Sequence, residues 1–471
     1  MDKPLTFEIT FCIAENTYMY LPIYLASEMR IFESVFKNNQ EYQDYEIKVS
    51  FEEPKNSTGS KQSGGDKEAV EYMLCESEKD QPNKIYIAIA DPVTIFKQYD
   101  NTNSRNDIKV IGQLIKKFPF WIIGKYDPDF QESPYNKLGV IKKYSKKTFY
   151  YPFTKYITAS ACTSFVFREN SLDSSKKEER EFGKVINACE DNDAIGLTGD
   201  LSFMAEERIN EKINIICHLA NAISNDRNLK NIATVLITDS ASCHKYKNNV
   251  LPAILEAIQN AIFIIYSSPK IASDVCQYVS QYYFGESKND KKIQRIIKII
   301  QKDELYPMSL DIKIEDWINT INFYLNQDQK PFDKNEFPKA PEYIGDNDDY
   351  LTELYKIMYE EAPAKAVEKT MIHKFGVSCD TFDGEIAHYL KTKKKEHRKY
   401  ILNNYGKDII TALLLGLLCL IIILYMLLFW HTSDIDFLSH LSLWIGIASL
   451  IIAFYSINKG RRKFNPFKIR K

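Results

Sequence analysis

Two long apolar stretches near the C-terminus, Ile409–Trp430 and Phe437–Ile457, constrain this chain more than any other feature. The first runs 22 residues without a charged side chain, and in the second only His440 titrates near neutral pH. A hydrocarbon core about 30 Å thick needs roughly 20 apolar residues of helix, so each stretch is long enough to span a bilayer. The pattern predicts a two-helix transmembrane hairpin over residues 409–457. A buried helical hairpin of a large soluble core is the alternative.

Basic residues flank the predicted hairpin on both outer sides. Seven lie between positions 391 and 407 and seven between 459 and 471, whereas the intervening turn has two Asp and no Lys or Arg. Because basic residues stay on the cytoplasmic side, both flanks are expected inside. Met1–Glu8 shows no signal-peptide pattern. We therefore expect a two-span protein of the inner or plasma membrane with both termini in the cytoplasm, residues 458–471 forming a basic cytoplasmic tail.

Charge and cysteine usage bound the possible partners. Residues 391–471 carry 14 basic and four acidic side chains, so the net charge of −2 leaves about −12 for residues 1–390. An acidic part of this size argues against nucleic acid as a partner, and the basic end is expected to meet the lipid bilayer. The nine Cys are scattered singly without a CxxC pair, which indicates a reducing compartment and neither a disulfide framework nor a metal site.

The first 300 residues alternate between apolar strand candidates and helical runs, which predicts an α/β fold with a mainly parallel sheet covered on both faces. The predicted strands are Leu5–Ile13, Tyr45–Phe51, Ile85–Ala90, Ile108–Leu114, Leu138–Ile141, Ala194–Leu197, Ile213–His218 and Val235–Thr238. The predicted helices are Leu21–Phe36, Asp66–Cys75, Val93–Tyr99 and the long tract Val250–Tyr283. Pro119 lies between two apolar pieces, where the chain is expected to leave one lobe for another.

Four segments, taken in order, resemble a known family. Tyr20–Phe32 (YLPIYLASEMRIF) resembles the first helix of the type II periplasmic-binding-protein fold, in the branch of thiamine-pyrimidine synthases and alkylsulfonate- or nitrate-binding proteins. Gly64-Gly65 resembles the glycine turn after the second strand, Ile85–Pro92 the strand that ends in a site-facing Asp or Ser, and Val110–Leu114 the strand before the crossover. The resemblance implies a ligand-binding domain over 1–325, with a first lobe of about 1–117 and 234–325 and a second of about 118–233. Its members are usually exported, which this chain is not expected to be.

In such a fold the ligand lies between the lobes, against strand C-termini and helix N-termini that favour polar or anionic groups. The resulting candidates for binding a small molecule are Asn16, Tyr18, Tyr20, Gly65, Asp91, Thr94, Ser160, Thr163, Thr198, Gly199, Asp200, Asp239 and Ser240. Plainer interpretations stay open for several of them. Asp91 before Pro92 is also a preferred helix cap, Thr158–Ser164 also suits tight packing, and Gly199-Asp200 is also an ordinary turn.

The sequence favours binding over catalysis. The pyrimidine-synthase relatives use a cysteine-rich motif, a histidine and a pyridoxal-binding lysine, whereas this chain offers only Cys243 beside His244. Adjacent side chains diverge on a strand or a helix, so this pair is poorly placed for nucleophile and base. No phosphate-binding loop or dinucleotide fingerprint occurs, and no His pair has metal-ligand spacing. We expect no catalytic residue, no cofactor and no metal.

Residues 326–408 are predicted to form a linker and juxtamembrane helices, with helices at Tyr350–Glu361 and Ala364–Phe375 broken at Pro363. They could transmit a signal or contact another copy, or simply fold back on the second lobe. In the hairpin, Ser442, Ser449 and Ser456 recur every seven positions, which suits either self-association or packing of the two spans on each other.

Three functions remain open from the sequence. The first is a membrane-anchored cytoplasmic small-molecule-binding protein whose closure signals to the hairpin or a partner. The second is an effector whose hairpins oligomerise and perturb the membrane when a signal binds. The third is a transporter-associated substrate-binding subunit, or a cytoplasmic enzyme, that uses the same cleft.

Overall fold

The computed structural model describes residues 5–54, 65–79, 81–95, 108–125, 138–152, 157–172, 176–180, 184–191, 194–205, 212–227, 231–286, 289–325 and 347–375. These residues belong to one compact unit, Met1–Ile386. The predicted hairpin at 409–457, its basic flanks and the serine stripe lie outside the described residues, so the predictions made for them stay predictions.

The described strands form two five-stranded sheets. The first sheet has the order β2-β1-β3-β10-β4, with β1 Leu5–Cys12, β2 Tyr45–Glu52, β3 Lys84–Ala90, β4 Ile108–Ile115 and β10 Thr234–Asp239. The second has the order β7-β6-β8-β5-β9, with β5 Trp121–Lys125, β6 Thr148–Pro152, β7 Lys177–Arg180, β8 Ala194–Thr198 and β9 Ile213–His218. Six of the seven residues of β3 are buried, as a strand covered on both faces requires. The chain thus leaves the first sheet after β4 and returns to it as β10, which agrees with the two-lobed α/β fold expected from the sequence.

Fourteen α-helices with assigned bounds surround the sheets within the described residues. They are α1 Leu21–Glu28, α2 Ile31–Lys37, α3 Asp66–Ser77, α4 Ile157–Asn170, α5 Lys184–Asp191, α6 Leu201–Met204, α7 Leu219–Arg227, α8 Ser240–Tyr246, α9 Val250–Ser267, α10 Pro269–Tyr283, α11 Asp290–Asp303, α12 Ile314–Leu325, α13 Asn347–Met358 and α14 Glu361–Phe375. Helix α9 packs against α1, α2 and α14. It is the one described helix long and apolar enough to span a membrane, and 61% of it is buried, which fits a core helix.

Both sheets are mixed rather than mainly parallel, because each contains one strand that enters it from the other lobe. Strand β10 runs antiparallel to both β3 and β4, and β5 runs antiparallel to both β8 and β9. A strand that enters a sheet from the other lobe arrives from the edge where the resident strands end, so it runs in the opposite direction. The parallel pairs β1–β2, β1–β3, β6–β7 and β6–β8 come from strands linked within one lobe.

Some predicted elements were wrong. Leu138–Ile141 belongs to a 3₁₀ helix, Leu138–Tyr144, because Leu138 and Ile141 are the two buried residues and lie three apart. The run Leu21–Phe36 is two helices, since Arg30 adopts a left-handed φ of 52° between them. The tract Val250–Tyr283 is also two helices, broken at Ser268 before Pro269.

The segment 347–375 folds back on the first lobe, not on the second. Helix α14 packs against α9 and β4, and α13 packs against α12 and β4. The break between the two helices lies at Tyr359-Glu360, and Pro363 stands in the first turn of α14, where its missing N–H costs no hydrogen bond.

Three chain segments run side by side where the two sheets are joined. The N–H of Ala233, before β10, donates to the carbonyl of Ile115 at 2.9 Å, and the N–H of Lys116 donates to the carbonyl of Leu305 at 3.0 Å. The N–H of Leu219 donates to the carbonyl of Phe120 at 2.9 Å. These contacts define the connection about which one lobe could turn relative to the other.

Candidate functional site

Polar side chains follow the C-terminal ends of the parallel strands of the first sheet. Cys12 of β1 is in register with Ala88 of β3 and with Glu52 of β2, so the loops after these strands leave the sheet at one edge. These loops bring Tyr20 and Asp91 to the same place, together with Asp66 at the start of α3.

Asp66 and Asp91 form a directly bonded pair. The backbone N–H of Asp91 donates to Oδ2 of Asp66 at 2.7 Å, and the backbone N–H of Thr94 donates to Oδ1 of Asp91 at 2.7 Å. Asp91 therefore does cap the helix that begins at Pro92, as the plainer interpretation held, but it does so while bonded to a second acid.

The surroundings of this acidic pair favour a bound proton. Burial raises the pKa of Asp66 well above its ordinary value, and the charge of Asp91 raises it further. Burial raises the pKa of Asp91 as well, although the N–H groups of Thr94 and Val93 and the bond to Asp66 oppose this. Two carboxyl groups in contact cannot both ionise without repulsion, so the pair holds one proton more readily than isolated Asp residues do.

Two buried phenols lie beside the acidic pair. Burial raises the pKa of Tyr20, and the charges of Asp66 and Asp91 add to the effect. Tyr20 is 7% exposed, and within the part of the chain that the structure describes its hydroxyl has no hydrogen-bond partner. Burial likewise raises the pKa of Tyr324, with Asp91 and Asp66 again contributing.

The second lobe reaches the same place through the first turn of α4. The hydroxyls of Thr158 and Tyr324 lie 2.9 Å apart in a hydrogen bond. Thr158 belongs to the helix that follows β6, whereas Tyr20, Asp66 and Asp91 belong to the first lobe. We call the set Tyr20, Asp66, Asp91, Thr158 and Tyr324 the interlobe cluster. Two of its members, Tyr20 and Asp91, were among the predicted site residues.

Three members of the interlobe cluster were missed. Asp66 directly follows the Gly64-Gly65 turn, and its place at the start of a predicted helix was the available signal. Gly65 itself is the N-cap of α3, and its N–H donates to Oε2 of Glu68 at 2.7 Å. Thr158 opens the small-residue patch that supplied Ser160 and Thr163. Nothing in the sequence pointed to Tyr324, which lies 233 residues after Asp91.

Asn16 and Tyr18 hold the loop after β1 in place. The side-chain amide of Asn16 donates to Glu53, and the hydroxyl of Tyr24 donates to Oδ1 of Asn16 at 2.8 Å. The hydroxyl of Tyr18 donates to Oγ of Ser280 at 2.9 Å and to Oε2 of Glu286 at 3.1 Å. Both side chains are therefore engaged with protein groups.

Glu286 links that loop to the second lobe. Its carboxylate accepts from Oγ of Ser202 at 3.2 Å and from Nζ of Lys292 at 2.9 Å. Asp200 stands close by as the N-cap of α6 and accepts from the N–H of Ser202 at 2.8 Å. Burial raises the pKa of Asp200. The predicted turn residue thus serves as a helix cap at the lobe interface.

The other second-lobe candidates differ in exposure. Thr163 is fully buried, and its hydroxyl donates to the carbonyl of Ala159 at 2.8 Å, which agrees with the packing interpretation. Ser160 and Gly199 are half-buried. Thr198 is fully buried at the end of β8, and its hydroxyl accepts from the N–H of Asp200 at 3.5 Å. Thr94, a candidate of the first lobe, is also buried, and its backbone N–H donates to Asp91.

Asp239 and Ser240 do not join the interlobe cluster. In the antiparallel pairing Val235 opposes Ala90, next to Asp91, while Asp239 opposes Ile108 at the start of β4. Val235 and Asp239 are four residues apart along β10, which is roughly 13 Å at 3.3 Å per residue. Asp239 caps α8 by accepting from the N–H of Ser242 at 2.8 Å. The reversed direction of the return strand therefore carries both residues to the opposite edge of the sheet.

A second buried polar group lies where the lobes are joined. Nε1 of Trp121 donates to Oδ2 of Asp303 at 2.9 Å, and Nδ1 of His218 lies 3.7 Å from Oδ1 of the same carboxylate. The indole and imidazole rings stack with centroids 5.3 Å apart. Burial lowers the pKa of His218 to about 4 although Asp303 opposes the shift. The three side chains connect β5, β9 and α11.

The Cys243–His244 pair offers no activated nucleophile. Cys243 is buried, and burial raises the pKa of its thiol to about 12. Among the described residues no three His, Cys, Asp or Glu side chains are grouped so that they could hold a metal ion.

Comparison with known proteins gives structural similarity without sequence similarity. No protein-family model matches the chain, and no curated protein does. The alkanesulfonate-binding protein SsuA from Xanthomonas axonopodis pv. citri bound to MOPS is similar over 72% of this chain and 98% of its own, at 10% identity and a TM-score of 0.45. The periplasmic nitrate-binding protein NrtA from Synechocystis PCC 6803 is similar over 78% and 89%, at 10% identity and a TM-score of 0.46.

A ligand-binding component of an ABC-type import system from Staphylococcus aureus, solved with zinc bound, is similar over 77% of this chain and 99% of its own. Its identity is 10% and its TM-score 0.45. These similarities concern the fold alone. The assignment of a two-lobed α/β fold rests on the strand order, the pairing directions and the two crossings between the sheets.

Proposed function

We propose that this protein binds a small molecule between its two lobes, at the interlobe cluster, and is anchored to a membrane by the hairpin at 409–457. The observation that carries the proposal is the hydrogen bond at 2.9 Å between the hydroxyls of Tyr324 and Thr158 of the second lobe, at a position where the charges of Asp91 and Asp66 raise the pKa of Tyr324. Two adjacent, half-buried acids repel each other when both are ionised, so a group that pairs with them stabilises the fold. A ligand that contacts groups of both lobes stabilises the arrangement in which they lie together.

The segment 347–375 is a suitable element for passing on such a change. The N–H of Glu360 donates to the carbonyl of Val110 at 2.9 Å, and Nζ of Lys109 donates to the carbonyl of Ile357 at 2.5 Å. Tyr359 forms a parallel bridge with Val110. The segment is thus bonded to the edge strand of the first lobe, and in sequence it leads to the hairpin. We propose that it couples the position of the lobes to the membrane anchor.

The test of binding uses the intact protein. Native mass spectrometry of the full chain released from detergent micelles should show a population heavier than the polypeptide by one small molecule. Mild unfolding should release that molecule. Recovery of the bare polypeptide alone, from several expression hosts and after supplementation with cell extract, would contradict the proposal.

The membrane anchor has its own test. Reporters active only in the cytoplasm, fused after Lys471 or before Met1, should both be active. A reporter inserted at the turn between the two apolar stretches should be inactive. Activity at the turn, or inactivity at either end, would contradict the proposed topology and leave the binding proposal standing.

A further inference from the structure

We propose that a patch of lysines on the second lobe docks on the anionic headgroups of the membrane in which the chain is anchored. We call it the lysine patch, and it consists of Lys142, Lys143, Lys146, Lys147, Lys176 and Lys177. The inference goes beyond binding of a small molecule, and it rests on the membrane anchor of the proposed function.

The lysine patch brings together two separate parts of the chain. Four of its members lie between positions 142 and 147, at the end of the 3₁₀ helix Leu138–Tyr144 and in the turn after it. The other two lie at the start of β7, the outer strand of the second sheet. Nζ of Lys176 donates to the carbonyl of Lys146 at 2.6 Å, and Lys177 is in register with Phe149 of β6. The fold therefore places all six lysines at one edge of the second lobe.

Aromatic rings hold two of these lysines in place. Nζ of Lys177 lies 5.2 Å from the ring centroid of Tyr151 and 5.3 Å from that of Phe167. Nζ of Lys147 lies 5.5 Å from the ring centroid of Tyr144. Cation–π contacts of this kind are attractive, and a side chain that is already held loses less conformational freedom on binding.

The acids of β7 are directed to other partners. Glu178 pairs with Arg180 at 2.6 Å, and Glu179 accepts from the hydroxyl of Tyr151 at 3.0 Å. Residues 138–152 and 176–180 together contain seven basic side chains and two acidic ones, a local charge of +5. Residues 1–390 as a whole carry about −12. The lysine patch is therefore a positive region on an acidic protein, which an anionic surface attracts locally.

Anionic lipid suits the lysine patch better than nucleic acid does. Among the described residues, the exposed large hydrophobic side chains all lie outside 138–152 and 176–180, so the patch presents no exposed ring on which a base could stack. Lys is a compact charge without the fork of Arg that recognises phosphate and bases in a fixed geometry. The proposed anchor keeps the lobes on the cytoplasmic side, where the leaflet carries the anionic lipids.

The anchor also makes a weak contact sufficient. Helix α14 ends at Phe375 and the first apolar stretch begins at Ile409, so 33 residues lie between them. Such a length reaches at most about 110 Å at 3.3 Å per residue, so it does not prevent the second lobe from touching the bilayer. Because the hairpin and the patch belong to one chain, docking is an intramolecular event. The first lobe is joined to the hairpin through 347–375, and the lysine patch gives the second lobe an attachment of its own.

The test places the full chain in lipid nanodiscs with a photo-cross-linking amino acid in place of Ser145, an exposed residue among the patch lysines. The discs contain phosphatidylcholine alone or with about one-third phosphatidylserine. Mass spectrometry should find about tenfold more lipid adducts in the phosphatidylserine discs, and about 1 M salt should remove the difference by screening. The same amino acid in place of Asn38, an exposed residue of the first lobe, is the control. Equal yields at Ser145 in both discs, or an equally strong lipid dependence at Asn38, would overturn the inference.

Variants separate the lysine patch from net charge. Lys142→Gln, Lys143→Gln and Lys146→Gln together remove three exposed charges. A lysine at an anionic surface contributes about fivefold to binding, so the triple variant should lower the adduct yield at Ser145 by about tenfold or more. The matched control replaces three exposed lysines of the first lobe by Gln: Lys37, Lys48 and Lys298. The control should keep the yield of the unaltered chain, and equal yields in the two triple variants would contradict docking through this patch.

Failure of the anchor gives a different result. If an alkaline wash removes the full chain from phosphatidylcholine discs, the anchor is wrong, and flotation with phosphatidylserine vesicles tests the patch alone. Flotation that depends on the three lysines keeps the inference, and absence of flotation refutes it. If a short DNA duplex displaces the lipid adducts and itself cross-links at Ser145, the patch is a nucleic-acid site and the assignment to lipid is wrong.

Discussion

The hydroxyl of Tyr359 donates a hydrogen bond to Oδ1 of Asp311 at 2.5 Å, and it accepts one from the backbone N–H of Ile312 at 3.2 Å. Tyr355, one helical turn earlier, donates from its hydroxyl to the carbonyl of Ile312 at 2.6 Å. Both tyrosines thus attach the segment 347–375 to the loop before α12. The proposed coupling between the lobes and the membrane depends on this attachment.

Tyr359→Phe should loosen the segment without unfolding the lobes. The change leaves the half-buried Asp311 carboxylate and the N–H of Ile312 without this partner, at a cost of about 1–3 kcal/mol. Hydrogen exchange of the amides in 347–358 should accelerate accordingly, while the amides of β1 and β3 keep their protection. Tyr282→Phe is the control, since Tyr282 is 78% exposed. Equal exchange in both variants would contradict the proposed attachment.

Asp66→Asn should change how stability depends on pH. The folded-state pKa of Asp66 lies above its ordinary value of 3.8, so the native state binds more protons than the unfolded state between those two values. The free energy of unfolding therefore falls as pH rises through that window, and it keeps its full value only at lower pH. The Asn variant should lose this decline in urea titrations followed by tryptophan fluorescence.

Asp44→Asn removes an exposed acid and is the matched control for that titration. Its pH profile should parallel that of the unaltered chain. A profile for Asp66→Asn that also runs parallel would mean that the acidic pair does not hold a proton in the native state.

Trp121 and Asp303 should show energetic coupling. Trp121→Phe removes the N–H that donates to the buried carboxylate of Asp303. Asp303→Asn removes the negative charge of the group that accepts this hydrogen bond. A double-mutant cycle in urea should give a coupling energy of about 1–3 kcal/mol, because a hydrogen bond to a buried charge exceeds a neutral one in strength. Effects that add within about 0.5 kcal/mol would show that this hydrogen bond does not stabilise the connection between the lobes.

Gly196→Ala should destabilise the second lobe. A Cβ at this position lies 2.7 Å from Cγ1 of Val185 and 2.9 Å from Sγ of Cys189, so α5 must move away from β8. Overpacking of this kind costs about 1–3 kcal/mol. Gly139→Ala is the control, because a Cβ there meets nothing within 4 Å. Thermal melts of the two variants should separate by several degrees, and coincident melts would show that α5 does not pack so closely.

The sequence alone predicted the strands that are marked by a local pattern of residues. Strand β9 has the predicted bounds, Ile213–His218, and β3 differs from the predicted strand by one residue, because both are short apolar runs with clear ends. One of the strands that were missed is unlike them. Strand β7, Lys177–Arg180, consists of charged residues at a sheet edge, where pairing with β6 and not burial makes the strand.

The candidate site shows where such reasoning stops. Asp91 was found because it ends a buried strand before a proline, a local signal. Its relation to Asp66 depends on how β1 and β3 pair and on where α3 begins, and its relation to Tyr324 depends on the chain returning from the second lobe. Asp239 shows the same limit in reverse. It also follows a buried strand, and only the antiparallel direction of β10 moves it to the other edge.

The most direct measurement is the distance between the lobes of the full chain with and without its ligand. Spin labels at Lys48 and Glu178 lie on exposed positions of β2 and β7, the outer strands of the two sheets. Pulsed EPR should show a shorter and narrower distance distribution when the molecule identified by native mass spectrometry is bound. Asp66→Asn should keep the longer distribution of the unliganded chain. Distributions that are identical with and without the bound molecule would contradict closure of the lobes on a ligand at Asp66 and Asp91.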